Sequence, residues 1–214
     1  MNLDTIKSEV EDNVPGCHVE IISNPSPSAQ HSLLIDADHA FAVALFLRDA
    51  ADLRFDYCSS VTGLDWLPKE TATKIKVKKL VDGPNGPEEK EVDEVQKTST
   101  PGYLEVVYHL FSQQLKHGPL PIRLRTADRD SGVHLPSLTP IWRSAEFQER
   151  EIFDLYGVIF DGHPDLRRIL MWDDFVDHPM RRDYVDPDDY EYEPTAHDEV
   201  LKRAAQHVSE TGGR

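Results

Sequence analysis

The first part of the chain alternates between helical and extended patterns of apolar residues. The spacing of Leu3, Ile6 and Val10 predicts a short helix over the N-terminal residues. Two short apolar runs follow, His18 to Ile22 and Ser32 to Ile35, and each has the length and composition of a strand. The pattern therefore predicts that the fold opens with one helix and two strands.

The longest apolar run, Ala40 to Leu47, predicts a buried helix that extends from His39 to Asp49. Asp38 is the expected N-cap, because a short acceptor side chain can bind a free amide of the first turn. The run falls well short of the roughly 20 residues that cross a membrane, so no direct membrane span is expected. The inner face of this helix is expected to carry Phe41, Ala44, Leu45 and Arg48.

Three later stretches alternate with the period of two that is typical of strands. They are Leu53 to Val61, which Gly63 is expected to end, then Leu104 to Leu110, and a shorter one around Ile122 and Leu124. Together the elements give the order α-β2-α-β3. This order predicts an α+β fold, a two-layer core in which helices pack on a mixed sheet.

An insertion at residues 73–96 separates the third and fourth of these strands. Its centre, Asp82-Gly83-Pro84-Asn85-Gly86-Pro87, is a strong turn signal and predicts a hairpin. Folding about that turn places Lys76 opposite Asp93, Val77 opposite Val92, and Lys78 opposite Glu91. The lysines could contact an anionic surface, but pairing with the hairpin's own acids is favoured, at about 0.2–1 kcal/mol for each pair.

A further helix is expected from Pro140 to Tyr156, with Thr139 as N-cap and Gly157 as the terminator. An apolar stripe along it carries one acid, Glu149. A buried carboxylate needs a cation or several hydrogen-bond donors. The stripe consists of Trp142, Ala145, Glu149, Ile152 and Tyr156.

Two hypotheses account for Glu149. It could be a general acid or a proton relay, or it could form a structural ion pair that orients the following loop. The second is favoured, since ion-pair networks often perturb carboxylates. On an adjacent face, Glu146 and Arg150 are spaced for an i,i+4 pair. The candidate cations for Glu149 are Arg143, Arg150, Arg167 and Arg168.

The domain organisation expected from these patterns has three parts. Residues 1–135 form the α+β core with its inserted hairpin, and residues 136–184 form the helix and an extended partner-binding arm. Residues 185–214 form an acidic tail that ends in a short helix near Val200 to Val208. Between Asp183 and Glu199 there are eight acids and no Lys or Arg. Such a segment is expected to be disordered or to lie on a partner.

Two related motifs occur in the arm, and each has a His-Pro turn followed by two arginines. The first is His163-Pro164-Asp165-Leu166-Arg167-Arg168, and the second is His178-Pro179-Met180-Arg181-Arg182. Planar guanidinium groups suit carboxylate pairing, so both arginine pairs are predicted to anchor the arm on carboxylates of a partner, or on Glu149 and Asp154 of the chain's own helix. The motifs also contain metal-ligand residue types, which leaves open a stand-alone metal-dependent hydrolase built on His163, Asp165, Asp174 and His178. No H-E-x-x-H or other diagnostic spacing supports a metal site, and none is predicted.

The net charge, the cysteine count and the absence of known motifs exclude several classes of function. A net charge of −16 argues against nucleic acid as a partner. Two separate cysteines, Cys17 and Cys58, cannot ligate an iron–sulfur cluster alone. No Gly-rich nucleotide loop and no nucleophile motif is found. The chain is therefore expected to carry no cofactor, while an enzyme that uses a lysine or a pair of carboxylates stays open at this point.

The run from Glu149 to Leu170, which reads EREIFDLYGVIFDGHPDLRRIL, closely resembles the signature of one family of respiratory complex I (NADH–quinone oxidoreductase) proteins: the C subunit, or thirty-kilodalton-type subunit. The resemblance extends in pieces from about Leu33 to Tyr184. The other similar segments are Val61 to Trp66, Glu105 to Leu110, Pro136 to Trp142 and His178 to Tyr184. The inserted hairpin is longer than the usual connection in this family.

The resemblance implies a structural, redox-inactive subunit in the hydrophilic arm of a proton-translocating NADH–quinone oxidoreductase. FMN, iron–sulfur clusters and quinone would be bound by other subunits. The closest partner would be the D subunit, with the B, I and G subunits nearby, on the cytoplasmic face of the bacterial inner membrane. An equivalent subunit of a membrane-bound hydrogenase or of a dehydrogenase with another donor remains an alternative. The signature residues expected to serve structure or assembly are Glu149, Arg150, Asp154, His163, Arg167, Arg168, His178, Arg181 and Arg182.

Overall fold

A computed structural model describes residues 2–83 and 86–185, with the backbone alone for 73–83 and 86–96. Residues up to Arg182 form one compact unit. The helices are α1 Leu3–Asn13, α2 Ala40–Asp49 and α3 Glu146–Tyr156. The strands are β1 Val19–Ile22, β2 Ser32–Ile35, β3 Tyr57–Trp66, β4 Lys69–Gly83, β5 Gly86–Thr100, β6 Tyr103–Ser112, β7 His117–Arg125, β8 His134–Pro136 and β9 Ile159–Asp161.

Five strands form the central sheet, in the order β1-β2-β7-β6-β3. The β2–β7 pair is parallel and the other pairs are antiparallel, so the sheet is mixed. Helices and sheet share one hydrophobic core, which confirms the predicted α+β class. Among its fully buried members are Val10 of α1, Leu47 of α2, Leu33 of β2, Tyr108 of β6 and Ile122 of β7.

The end of the predicted core domain (residues 1–135) and the segment that follows it both contribute to this hydrophobic core. Leu135 of β8, Leu138, Trp142 and Phe160 of β9 are all buried there. The division at residue 135 between core and arm stays a prediction. The acidic tail from residue 186 onward, with its predicted terminal helix, lies outside the described residues. No helix in the described ranges is long and apolar enough to cross a membrane.

The predicted inner face of α2 is wrong for three of its four residues. The face that packs on the core carries Ala40, Val43, Ala44 and Leu47. Phe41 and Leu45 are 43% and 39% exposed, and Arg48 pairs with Asp49. Because this helix is apolar nearly all round, hydrophobic spacing alone does not distinguish its faces.

The predicted capping of α2 is also wrong. Residues Ala37–His39 form a 3₁₀ turn, the N-cap is His39, and no side chain caps the helix. Asp38 therefore lies inside the turn and not at the helix boundary. Instead, Asp36 accepts a hydrogen bond from the His39 ring.

Strand β3 begins later and ends later than predicted. It passes through Gly63, whose missing side chain permits a close approach of α3. A Cβ at this position would lie 2.8 Å from Cδ2 of Tyr156. The expected strand start, Leu53 and Phe55, is buried in the turn that precedes β3. Glycine here marks a close approach between elements and not a strand end.

The inserted hairpin has the predicted register. Lys76 lies opposite Asp93, Val77 opposite Val92, and Lys78 opposite Glu91. Strands β4 and β5 form a two-stranded sheet of their own, longer at both ends than the predicted insertion. The tip, residues 84 and 85, lies outside the described residues, and the charge pairing of the lysines stays a prediction.

Helix α3 starts six residues later than predicted, after a 3₁₀ turn at Arg143–Ala145. Its end at Gly157, which has a φ of 79°, is confirmed. The predicted apolar stripe is confirmed as well, since Trp142, Glu149 and Ile152 are buried and Tyr156 packs on the core. This helix positions the candidate site.

Candidate docking site on helix α3

Glu149 is fully buried on the inner face of α3 and accepts four hydrogen bonds. The donors are the hydroxyls of Tyr108, Ser137 and Thr139 at 3.0, 2.5 and 3.0 Å, and the Leu138 amide at 2.9 Å. The predicted ion pair is wrong, because all four donors are neutral groups. Burial raises the pKa of Glu149, and the four hydrogen bonds offset only part of that effect.

These contacts fix the segment that joins β8 to α3. Through this one carboxylate, α3 is tied both to Ser137, Leu138 and Thr139, which follow β8, and to Tyr108 of β6. Sequence reasoning missed these donors. The signal that could have revealed them is the two hydroxyl residues just before Pro140, Ser137 and Thr139. Of these, Thr139 was interpreted as a helix cap. The arrangement favours a structural role for Glu149 over a general acid.

Asp154 is the second buried carboxylate of α3, and it binds the segment that follows β9. We call residues 163–182 of that segment the arm. Its Oδ2 accepts backbone N–H groups of Ile169, Leu170 and Met171 at 3.0, 2.7 and 3.0 Å. Its Oδ1 accepts from Nη1 of Arg168 at 2.6 Å. Burial alone would raise the pKa of Asp154, but these donors outweigh it and hold the pKa below its ordinary value. Asp154 therefore anchors the arm as a carboxylate.

The C-terminal end of α3 provides a second anchor through its free carbonyls. Nδ1 of His178 bonds the Asp154 carbonyl at 3.0 Å, and Nε of Arg181 donates to the Tyr156 carbonyl at 2.7 Å. The Arg182 backbone N–H then bonds Oδ2 of Asp65 at 2.8 Å. Basic groups at a helix C-terminus also complement the helix dipole.

Asp65 is itself buried in an ion pair with Arg129, at 2.6 Å between Oδ1 and Nε and 2.6 Å between Oδ2 and Nη2. This bidentate pair ties β3 to the loop after β7, beside the end of the arm. Sequence reasoning missed it, because the two residues are 64 positions apart and neither belongs to a local pattern.

Arg150, His163 and Arg167 hold the beginning of the arm. Nη1 of the buried Arg150 lies 3.4 Å from Oδ2 of Asp165, and its Nε donates to the Arg167 carbonyl. His163 bonds the Glu146 carbonyl at 3.0 Å. The predicted Glu146–Arg150 pair is wrong, since Glu146 pairs with Arg143 instead. Arg167 is exposed and pairs with Asp165.

Three of the four residues named for a metal-dependent hydrolase, His163, Asp165 and His178, are engaged in these contacts. His163 uses both ring nitrogens, one on the Glu146 carbonyl and one on the Asp165 amide. Across the part of the chain that the structure describes, no three His, Cys, Asp or Glu side chains are grouped to hold a metal. The structure gives the hydrolase alternative no support. Burial raises the thiol pKa of Cys17 and of Cys58 to about 12, which is the opposite of an activated thiolate.

Several large apolar side chains of the arm are exposed to solvent. Val176 is 85% exposed and Leu170 is 56% exposed. Isolated exposed apolar residues are ordinary, whereas several along one short segment make that segment the candidate docking surface. We call this set the apolar row. Its members are Ile169, Leu170, Trp172, Val176 and Met180.

Residues 33–191 match the family described as respiratory-chain NADH dehydrogenase, 30 Kd subunit. The C subunit of the NADH-quinone oxidoreductase of Saccharopolyspora erythraea is 36% identical over 150 residues, which are 70% of this chain and 47% of that protein. The corresponding C subunit from Legionella pneumophila is 33% identical, over 70% of this chain and 64% of that one. The chain spans about half the length of the first of these relatives.

Among solved structures, a trypsin-resistant fragment (1–134) of Nqo5 aligns with a TM-score of 0.46 at 23% identity, over 78% of this chain and all of that one. The matched family segment contains α3, the arm and all nine signature residues. The chain belongs to the respiratory-chain NADH dehydrogenase 30 Kd subunit family.

Proposed function

We propose that this chain is a structural subunit of the hydrophilic arm of a proton-translocating NADH–quinone oxidoreductase. The chain would bind and orient other subunits, whereas NADH, FMN, the iron–sulfur clusters and quinone would be bound by those other subunits. The proposal rests on the structure of the arm. This segment has no core of its own, it is bound to α3 through Asp154, and its apolar row is exposed to solvent.

The anchoring gives the arm a defined shape before any partner arrives. Asp154 alone receives three backbone amides and one guanidinium, all between 2.6 and 3.0 Å. A segment held in this way presents its apolar row without a large ordering cost, and such preorganisation strengthens binding. The row includes Trp172, and tryptophan is enriched among the residues that dominate interface energies.

We propose the D subunit as the main partner, with the B, I and G subunits close by, on the cytoplasmic face of the bacterial inner membrane. The buried carboxylates support a non-catalytic role. Glu149 is closed off in the core and Asp154 is saturated with donors, so neither has a free face for a substrate. The chain would attach to the membrane only through its partners.

A pair of leucine variants tests the docking role of the arm. Leu170 and Leu45 are both exposed, one in the apolar row and one on α2. Tagged chains carrying Leu170→Asp or Leu45→Asp would be purified from native membranes under mild conditions and their partners identified by mass spectrometry. Leu170→Asp is expected to lose the other hydrophilic-arm subunits and Leu45→Asp to retain them. Equal recovery from both variants would contradict docking through the arm.

A further inference from the structure

An open pocket of about 290 Å³ lies where the end of the arm meets the end of β3. Its apolar walls are Leu64 and Trp66 of β3, Tyr156 of α3 and Met180 of the arm. Met180 is also a member of the apolar row, so the row continues into this pocket. The volume is just below the range of roughly 300–1,000 Å³ that small-molecule sites occupy, so it suits a large side chain better than a drug-sized ligand.

The Trp66 ring is held in a fixed orientation although 43% of the residue is exposed. Its Nε1 donates to Oε2 of Glu105 at 2.9 Å, and Glu105 is fully buried. Nη1 of Arg123 and Nε of Arg125 donate to the same carboxylate at 2.8 and 2.9 Å. A wall that is already ordered loses little side-chain freedom on binding, and tryptophan is enriched among interface hot spots.

The lining of the pocket carries one uncompensated charge. Asp65 is buried, and its carboxylate is compensated by the bidentate contact with Arg129. The backbone N–H of Arg182 also bonds Asp65, but the exposed side chain of Arg182 forms no ion pair with the residues that the structure describes. The uncompensated charge is therefore a guanidinium, whose planar group suits a carboxylate.

We propose that this pocket holds a large apolar side chain of a partner subunit, and that a carboxylate in the same segment of the partner pairs with Arg182. The inference rests on the docking role proposed above and adds the chemistry of the segment that docks. The pocket is continuous with the apolar row through Met180, and its charge is complementary to an acid. Side chains that fill preformed pockets beside an arginine are typical of interface hot spots.

A charge-preserving variant tests the carboxylate directly. Arg182→Lys provides an amine that a carbodiimide couples to a carboxylate in contact with it. The complex carrying this variant would be purified from native membranes, treated with the carbodiimide and analysed by mass spectrometry. We expect a crosslink from position 182 to an Asp or Glu of another subunit, within a few residues of a large apolar residue. Lys116, exposed in the turn between β6 and β7, is expected to give no crosslink to that peptide.

Several results of this experiment would overturn the proposal. They are the absence of a crosslink from position 182, a crosslink to a second copy of this chain or only to the chain's own acids, and a crosslink to a peptide that has no large apolar residue.

Three further variants test the charge and the apolar wall separately. Arg182→Glu reverses a charge that has no partner in the fold, and Lys116→Glu makes the same change of charge in the β6–β7 turn. Leu64→Asp places a charge in the pocket wall. Arg182→Glu and Leu64→Asp are each expected to reduce recovery of the partner about tenfold, and Lys116→Glu to leave it unchanged.

The Leu170→Asp variant separates failure of this proposal from failure of the docking role. If Leu170→Asp releases the partners whereas Arg182→Glu and Leu64→Asp retain them, the arm docks and the pocket proposal is overturned. If all three variants retain the partners, the docking role and the pocket proposal are both overturned.

Discussion

Glu149 provides the sharpest test of how the site is built, because two substitutions separate its charge from its hydrogen bonds. Glu149→Gln keeps the shape of the side chain. Its carbonyl oxygen can accept from the Leu138 amide and from Tyr108, and its NH₂ group can donate to the hydroxyls of Ser137 and Thr139. Hydroxyl groups accept as readily as they donate. We therefore expect Glu149→Gln to change the free energy of unfolding by less than about 1 kcal/mol.

Glu149→Ala removes the acceptor and leaves its partners behind. The Leu138 amide stays buried without that acceptor, and three hydroxyls must find new partners. An unsatisfied buried donor costs about 1–3 kcal/mol, and the lost volume adds to it, so we expect a total of about 3–5 kcal/mol. Urea unfolding of the purified chains, followed by circular dichroism and fluorescence, measures both values. Equal losses in the two variants would refute the reasoning.

The dependence on pH follows from the raised pKa of Glu149. A carboxyl group whose pKa is higher in the folded state binds its proton more tightly there, so its contribution to stability is present at low pH. That contribution is lost as the pH rises from the ordinary glutamate value through the raised one. The Glu149→Gln variant lacks this titration, so relative to wild type it is expected to gain stability between acidic and neutral pH. If the difference in unfolding free energy between Glu149→Gln and wild type stayed constant over that pH range, the pKa of Glu149 would not be raised in the folded state.

Three further predictions concern the arm and the sheet. Arg168→Ala breaks the contact with buried Asp154 and is expected to cost about 2 kcal/mol, whereas exposed Arg167→Ala should cost less than about 0.5 kcal/mol, both by urea unfolding; similar costs would contradict the anchoring. Gly63→Ala places a Cβ 2.8 Å from the Tyr156 ring and is expected to cost about 1–3 kcal/mol in the same assay; a neutral effect would show that α3 yields easily. Replacing residues 73–96 by a short Gly/Ser loop is expected to preserve cooperative unfolding, since loop length affects stability slowly; loss of cooperativity would show that the hairpin supports the core.

Local patterns were sufficient for most of the fold. Alternation located the central strands, and symmetric folding about the Asp82–Pro87 turn predicted the register of the hairpin correctly. These features depend on neighbours in sequence. Where the signal was ambiguous the prediction failed: the faces of α2 were misassigned because the helix is apolar on nearly all sides. Gly63 was misread because a close approach between strand and helix is invisible to a local pattern.

The sequence identified most of the residues that form the site, but not which of them contact one another. The stripe on α3 identified Glu149 as a buried acid, and Asp154 was among the possible partners of the arginines. The pairing depended on distant groups: Tyr108 lies 41 positions from Glu149, and Asp65 lies 64 positions from Arg129. Sequence also suggested guanidinium groups for Glu149, because arginines are conspicuous in a sequence and backbone amides are not.

We propose that the arm of this chain assembles a complex and performs no chemistry in it. The most direct test is Asp154→Ala in the native organism, which removes the acceptor of three arm amides and of Arg168. Membranes would be fractionated, assembled complex quantified, and NADH–quinone activity divided by that amount. We expect much less complex with nearly normal turnover per complex. A normal amount of complex with abolished turnover would contradict the account.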